Sequence, residues 1–317
     1  MIGSCIIDGI DIATLGMFIE RSGSDDFLSF PDRREPDQVN WPDEDGLDVD
    51  LTDCFFDAKP IKVNYVIFAD DETTFKNNLN SFETLHFAPG YRQIYVKEFN
   101  KTFSLRFIGF SDYKHSGGLY KRAKKIGKIT AEYSMDDPLQ IFTDAINTPI
   151  STREYLSYIS INGYDLSRFG IIVQDVYSTA LRPHSAKSVM ERKISNLNGA
   201  IADVGVTPKT QPRTIEIQCT MLAGSYSEFM TNYTALFNNL RINEPIKIVL
   251  RTNKTIDCYY KSMESFKKMT PFSEKVKVSF NLKLQEIELI DILRLLATQV
   301  GIFIMTENGQ FINLNYQ

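Results

Sequence analysis

The chain has 317 residues, 43% of them hydrophobic and 24% charged, with a formal net charge of −5. That length and composition suffice to bury two cores of ordinary domain size, and the negative balance argues against bulk nucleic-acid binding. Four cysteines, at positions 5, 54, 219 and 258, are too widely spaced for metal-ligand pairs and read as the thiols of a protein made in a reducing compartment.

Met1–Ile10 lacks the basic start and apolar core of an export signal. Ile287–Leu296, the longest apolar stretch, is interrupted by Glu288, Asp291 and Arg294 and is about half a membrane span. Neither export by that route nor membrane insertion is expected.

The first element in chain order is a motif that occurs twice. Ile7-Asp8-Gly9-Ile10-Asp11-Ile12, followed by Leu15-Gly16-Met17-Phe18-Ile19, returns as Ile161-Asn162-Gly163-Tyr164-Asp165-Leu166, followed by Phe169-Gly170-Ile171-Ile172-Val173. The offset is 161 − 7 = 154, close to half the chain, so one structural unit is predicted to occur in tandem.

A long arm follows each motif, and here the copies diverge. From Arg21 to Ala58 twelve acidic residues face three arginines, a net of −9, whereas Asp175 to Gln211 carries three acidic and five basic residues, a net of +2. Asp43, Glu44, Asp45, Asp48 and Asp50 are the candidate assembly arm, since surfaces of opposite sign steer partners together. A merely solvated acidic loop is the alternative. An EF-hand reading of that cluster fails at its leading ligand, where Trp41 stands in place of Asp.

Beyond the arms the copies stay in step. Lys59–Phe68 and Arg213–Leu222 alternate apolar and polar residues in the two-residue period of a half-buried strand. A helix follows each: Phe75, Leu79 and Phe82 share one face of the first, and Phe229, Tyr233, Leu236, Phe237 and Leu240 one face of the second. Ser225 and Glu228 form a capping box for the second helix.

Hairpins come next, Gln93–Glu98 with Thr102–Phe110 across Asn100-Lys101, and Ile246–Thr252 with Thr255–Tyr260 across Asn253-Lys254. Lys128–Ser134 and Lys275–Leu284 close the units. The basic run Lys121, Arg122, Lys124, Lys125 leads into the first of these closing strands and is a candidate basic contact, for an acidic arm rather than for nucleic acid, because no aromatic or groove-reading pattern accompanies it. The boundary between units falls from Asp137-Pro138 to Arg153, where neither period holds and Pro149 blocks a continuous helix.

The chain closes on a segment with no counterpart after the first unit. Leu289, Ile292, Leu293, Leu296 and Val300 form an apolar helical stripe, and Gly301–Thr306 and Gln310–Tyr316 flank Glu307-Asn308-Gly309, a hairpin signal. The fold class expected is mainly β (α+β): two tandem units, each with one flanking helix and a long arm, plus a C-terminal helix and β-hairpin. The domains are 1–148 with its arm at 21–58, 149–287 with its arm at 175–211, and the extension 288–317.

Catalytic patterns are missing from the sequence: there is no HExxH, phosphate loop, Gly-x-Ser-x-Gly elbow or paired CxxC. His86, His115 and His184 have no second His or Cys at ligand spacing, and His86 most simply ends the first helix. No catalytic residue, cofactor, metal or small-molecule substrate is expected.

The entry motif, apolar-x-Gly-x-Asp-apolar-x-x-Leu/aromatic-Gly-apolar, resembles the start of the phage distal tail protein family, and the closing strand that runs into Asp136-Asp137-Pro138 is similar too. The resemblance implies a tail-tube fold, a β-sandwich or barrel with a flanking helix and arm. It also implies a structural role as a ring at the tail tip that joins the tube to baseplate or receptor-binding proteins. Self-association as three or six chains, other phage tail proteins as partners and a place in the virion tail follow from it. The second half resembles the first unit again, which departs from many relatives and suggests hub proteins in which three chains present six similar domains. A host-surface or glycan-binding module is the alternative, since Phe (22) and Tyr (15) are abundant, although most fall at core periods. An enzyme built from scattered Asp and Glu is the third reading and requires two carboxylates meeting in a cleft.

Overall fold

The computed structural model describes residues 4–116, 125–151, 156–189, 191–193, 195, 198–202, 205, 207–252, 254–271 and 275–288. The sequence-predicted C-terminal helix and hairpin lie outside these residues.

The first unit comprises β1 (Cys5–Ile7), β2 (Ile10–Asp11), β3 (Met17–Ile19), β4 (Gln38–Val39), β5 (Asp48–Val49), β6 (Lys59–Ala69), α1 (Glu72–Phe87), β7 (Arg92–Val96), β8 (Lys101–Ser116) and β9 (Lys125–Met135). The second comprises β10 (Ser160–Ile161), β11 (Tyr164–Asp165), β12 (Ile171–Asp175), α2 (Tyr177–Ala180), β13 (Glu191–Arg192), β14 (Ile201–Ala202), β15 (Thr214–Ala223), α3 (Tyr226–Leu240), β16 (Ile246–Val249), β17 (Thr255–Lys268) and β18 (Val276–Glu288). Each unit forms one seven-stranded antiparallel sheet, in the order β2-β1-β7-β8-β9-β6-β3 and β11-β10-β16-β17-β18-β15-β12, and its arm a two-stranded ribbon, β4-β5 and β13-β14. The two orders are the same topology, so the tandem duplication inferred from the motif is present in the fold.

The repeated motif owes its residues to backbone geometry. Asp8 and Gly9 (φ 49° and 84°), like Asn162 and Gly163 (φ 50° and 83°), make a left-handed two-residue turn of the kind that joins tight hairpins. Asp8 Oδ1 accepts from the Gln93 N–H at 2.7 Å and Asn162 Oδ1 from that of Lys247 at 3.0 Å, which fastens each turn to the next strand. Asp11 and Asp165 accept from the amides of Ala13 and Ser167, capping the short 3-10 turn that follows. Gly16 and Gly170 end that turn with φ 62° and 76°, where an added Cβ would stand 2.3 Å from the Phe68 carbonyl oxygen and 2.5 Å from that of Leu222. Only glycine fits such an approach. The motif's Asp or Asn, Gly, Asp and Gly positions thus each serve local backbone geometry.

Each sheet curls into a half-barrel around its helix. Lys101–Leu105 of β8 pair with β7 and Arg106–Ser116 pair with β9, so this one strand carries both leaves, and register shifts at Phe107/Gly109 and Phe110/Asp112 bend it. In the second unit β17 does the same between β16 and β18. α1 starts at Asp71, whose side chain accepts from the Thr74 amide, and buries Phe75 and Phe82 while Leu79 is half-buried. α3 starts at Ser225, which accepts from the Glu228 amide. Glu228 reaches back to the Gly224 N–H instead of the cap's own amide, a one-residue departure from the predicted box.

β8 and β17 run six and eight residues further than the sequence period indicates, ending at Ser116 and Lys268 instead of Phe110 and Tyr260. Their extensions, Ser111 to Ser116 and Lys261 to Lys268, are mostly polar, so no apolar alternation marks them.

Candidate assembly surface and the arm junction

The first unit's arm does not stay on its own unit. It begins there: Phe27 packs on Phe99 and Phe103, and the buried Lys59 donates to the carbonyls of Phe27 (3.2 Å) and Ser29. Three residues later the chain has crossed. The ring of Phe30 lies among Tyr233, Phe237, Tyr260, Phe280 and Phe142, with centroid distances of 4.4 to 6.5 Å, all but Phe142 belonging to the second unit.

Hydrogen bonds lock this crossing on both sides of the ring. Tyr233 Oη donates to the Leu28 carbonyl at 2.8 Å, Tyr260 Oη donates to that of Pro31 at 3.0 Å, and the Arg33 N–H donates to the Lys261 carbonyl at 2.9 Å. The second core is thus completed by a residue of the first unit's arm. Full burial of such a side chain contributes about 2–3 kcal/mol by area alone.

The segment between the units is the other half of the junction. Ile141 and Phe142 are buried, and the chain after them lies along α3, whose asparagines hold its backbone: Asn238 Nδ2 donates to the carbonyls of Asp144 and Ile146, Asn239 Nδ2 to that of Asn147, and Asn232 Oδ1 accepts from the Ile150 N–H. This is why a stretch without either period is ordered. It is held by side chains of the helix it covers.

Charged groups at the junction are paired or buried. Lys268 meets Glu98 in an ion pair of which both members are nearly sequestered from solvent. Beside it Asp25 accepts from the Lys268 amide through Oδ2, its Oδ1 has no hydrogen-bond partner among the described residues, and burial pushes its carboxyl up to about 6. A cleft of about 450 Å³ opens here, lined by Phe18, Arg21, Glu98, Lys268 and Met269 among others.

Further along, the acidic arm meets the mildly basic one inside the same chain. Lys187 Nζ donates to the carbonyls of Trp41 (2.7 Å) and Gly46 (2.8 Å), and Asp45 Oδ1 accepts from both the amide and the hydroxyl of Thr210 at 2.8 and 2.7 Å. Those bonds from Thr210, with Lys209 at 3.7 Å, hold the Asp45 carboxyl below its ordinary range. The other members of the candidate arm are placed differently. Asp43, Glu44, Asp48 and Asp50 are exposed, Asp48 within the β4–β5 ribbon and Asp50 capping the Thr52 amide at 2.9 Å. So the complementary signs read from sequence act, at Asp45, within one molecule.

Of the candidate basic contact, Lys125 is buried at the start of β9, opposite Ala69. Lys121, Arg122 and Lys124 lie outside the described residues. Two of the histidines are bonded within the fold: His86 Nδ1 meets the Phe82 carbonyl at 2.8 Å and Nε2 the Tyr133 hydroxyl at 2.6 Å, and His184 lies 2.9 Å from Glu286. Glu286 is in turn bound bidentately by Arg213. No group of three or more His, Cys, Asp or Glu residues that could hold a metal ion occurs among the described residues.

Sequence reasoning missed the junction because its key residue, Phe30, sits in Ser29-Phe30-Pro31-Asp32, a stretch that reads as loop. The available signal was the short apolar cluster Phe27, Leu28 and Phe30 set in a charged, proline-containing segment.

No family model matches the sequence, and no curated protein does. Among solved structures the chain is similar to the Dit (gp 19.1) protein of SPP1, described as a paradigm of the hub adsorption apparatus in phages that infect Gram-positive hosts. The identity is 11% and the TM-score 0.32, with 90% of this chain and 99% of that chain covered.

Proposed function

We propose that the chain is a structural phage or prophage tail-tip or baseplate adaptor, distal-tail-like or hub-like, which assembles into a ring of three or six copies and connects the tail tube to tip proteins. One observation carries the reading. The motif that resembles the start of the distal tail family occurs twice at a fixed offset, and in both places it builds the same turn, cap and glycine stop at the head of the same seven-stranded half-barrel. A protein whose repeated residues all serve backbone geometry is suited to forming a scaffold, and its role is that of a virion component without chemistry of its own.

In this reading residues 1–148 and 149–287 are the two tube-like units and 288–317 an extension toward partners. The exposed Asp43, Glu44, Asp48 and Asp50 remain a surface for other tail proteins. The test is to isolate tails from the phage or the induced prophage and locate the chain by labelling and image reconstruction. The expected result is rotationally arranged copies at the tail tip. Particles complete without the chain would overturn the reading.

A further inference from the structure

We infer that Tyr158 and Arg251 of the second unit form a recognition site for a carboxylate that stands beside an apolar side chain, as in an acidic segment of a partner protein. The first unit has no such site, and the reason lies in how each copy satisfies the second acidic residue of its entry motif.

In the first unit Asp11 is held by a cation. Lys97 Nζ lies 2.6 Å from Asp11 Oδ2, and the Ala13 amide donates to Oδ1 at 3.0 Å. The offset of 154 places Asp165 at Asp11, Arg251 at Lys97 and Tyr158 at Ser4, and the strand registers agree, since Ile7 pairs with Ile94 and Ile161 with Ile248. The Asp165 carboxylate is bound differently. It accepts from the amides of Ser157, Tyr158 and Ser167 at 2.9 to 3.0 Å and from the Ser157 hydroxyl at 2.9 Å. Four neutral donors replace the cation, so Arg251 has no ion pair or hydrogen bond among the described residues. Its guanidinium lies instead over the Tyr158 ring, 4.6 Å from the centroid.

This arrangement strains the backbone. Tyr158 adopts φ 58°, a left-handed conformation that a bulky aromatic residue rarely takes. The other left-handed residues besides glycine, Asp8, Ser22, Asn100, Asn162 and Ser265, are all small and polar. The ring gains little burial in return, for Tyr158 is 52% exposed and Leu156, two residues away, 58%. Strain without burial marks a side chain held ready for something outside the fold.

The occupant follows from the chemistry. A guanidinium stacked on a ring keeps its N–H edge for bidentate binding of a carboxylate, the group that its counterpart Lys97 binds inside the first unit. Because Arg251 takes one face of the ring, the tyrosine offers a sugar no open stacking platform on that side. The exposed Leu156 suits an apolar side chain next to the carboxylate, and tyrosine and arginine are the residue types that anchor protein interfaces.

The test titrates the full chain with N-acetyl-glutamyl-phenylalanine amide, its glutaminyl analogue and glucuronate, followed by NMR of labelled arginine and tyrosine side chains. The glutamyl probe is expected to shift the Tyr158 and Arg251 signals with roughly millimolar affinity, and the glutaminyl probe and the Arg251→Gln variant to bind at least about tenfold more weakly. Tyr158→Asn installs a residue type that this chain already places at φ 49° and 50°, so it should lose binding equally and melt at the same temperature or above it. Equal or tighter binding of glucuronate would overturn the protein partner in favour of an acidic glycan. Shifts confined to other residues, none at any soluble concentration, or unchanged affinity in Arg251→Gln would each overturn the site, and a lower melting temperature for Tyr158→Asn would assign the tyrosine to the fold. Binding is read on the isolated chain, so its failure leaves the tail-tip role standing, and particles complete without the chain leave the site standing.

Discussion

The two cores share a topology and solve their interiors in opposite ways. In the first unit a polar chain runs through the core: Tyr65, beside the Cys5 thiol, places its hydroxyl 3.2 Å from that of Tyr133, which lies 2.6 Å from His86 Nε2. The corresponding positions of the second unit are Ile159, Cys219, Leu284 and Leu240, all buried and nearly all apolar. The second unit instead draws an aromatic from outside, the Phe30 of the preceding arm. One copy is self-contained with a polar interior, and the other has a dry interior that is incomplete without its neighbour. Duplication preserved the backbone instructions and released the cores to diverge, since any filling of the right volume with its polar groups satisfied will serve.

Removing the borrowed residue should break the comparison most visibly. Phe30→Ala is expected to destabilise the second unit by about 3–5 kcal/mol through lost burial and the cavity left behind. Hydrogen exchange should show α3, β15 and β18 opening while α1, β6 and β9 keep their protection. Equal loss in both units would mean that the arm supports the whole molecule and not the second core.

The charged anchors at the starts of β6 and β15 should differ next. Arg213→Met leaves Glu286, 3% exposed, with His184 and the residue 213 amide but no charged partner as strong, and breaking a buried pair in this way costs about 3 kcal/mol or more. Lys59→Met deprives only backbone carbonyls of a donor and should cost less, about 1–3 kcal/mol. Chemical denaturation of the two variants in parallel ranks them, and a reversed order would show that the arm's carbonyls matter more than the buried carboxylate.

Acid should separate the units. Burial pulls His86 down to about 4 from its ordinary 6.5. The unfolded chain therefore takes up the proton first, and stability is highest above about pH 6.5 and is lost as the pH falls toward 4, by up to about 3 kcal/mol. His86→Leu installs the residue type found at Leu240 and should flatten this dependence in the first unit, read as the change in melting temperature between pH 7 and 4.5. An unaltered slope would assign the acid sensitivity elsewhere. The smallest effect is expected for Asp45→Ala, which opens the clasp between the arms. Its partly exposed hydrogen bonds should be worth about 1 kcal/mol, seen as faster exchange in residues 207–211 with no change in either core.

The parts of this architecture that could be read in advance are those in which local chemistry dictates local backbone. Asp8-Gly9 and Asn162-Gly163 announce their turns, the alternation in Lys59–Phe68 announces β6, and Asp71 and Ser225 stand where helices begin. The candidate assembly surface was legible only in part. The acidic run was visible, but its partner Thr210 lies 165 residues from Asp45, and no periodicity links them. The destination of Phe30 and the His86–Tyr133 contact are likewise long-range packing choices, which a window of neighbouring residues does not contain.

Because β8 and β17 each belong to both leaves of their half-barrel, neither leaf can slide on the other without bending a continuous strand and shearing consecutive ladder bonds together. Each unit therefore meets a mechanical load as a stiff element. The connections are held by separate side-chain bonds instead, such as those from Lys187 to the carbonyls of Trp41 and Gly46.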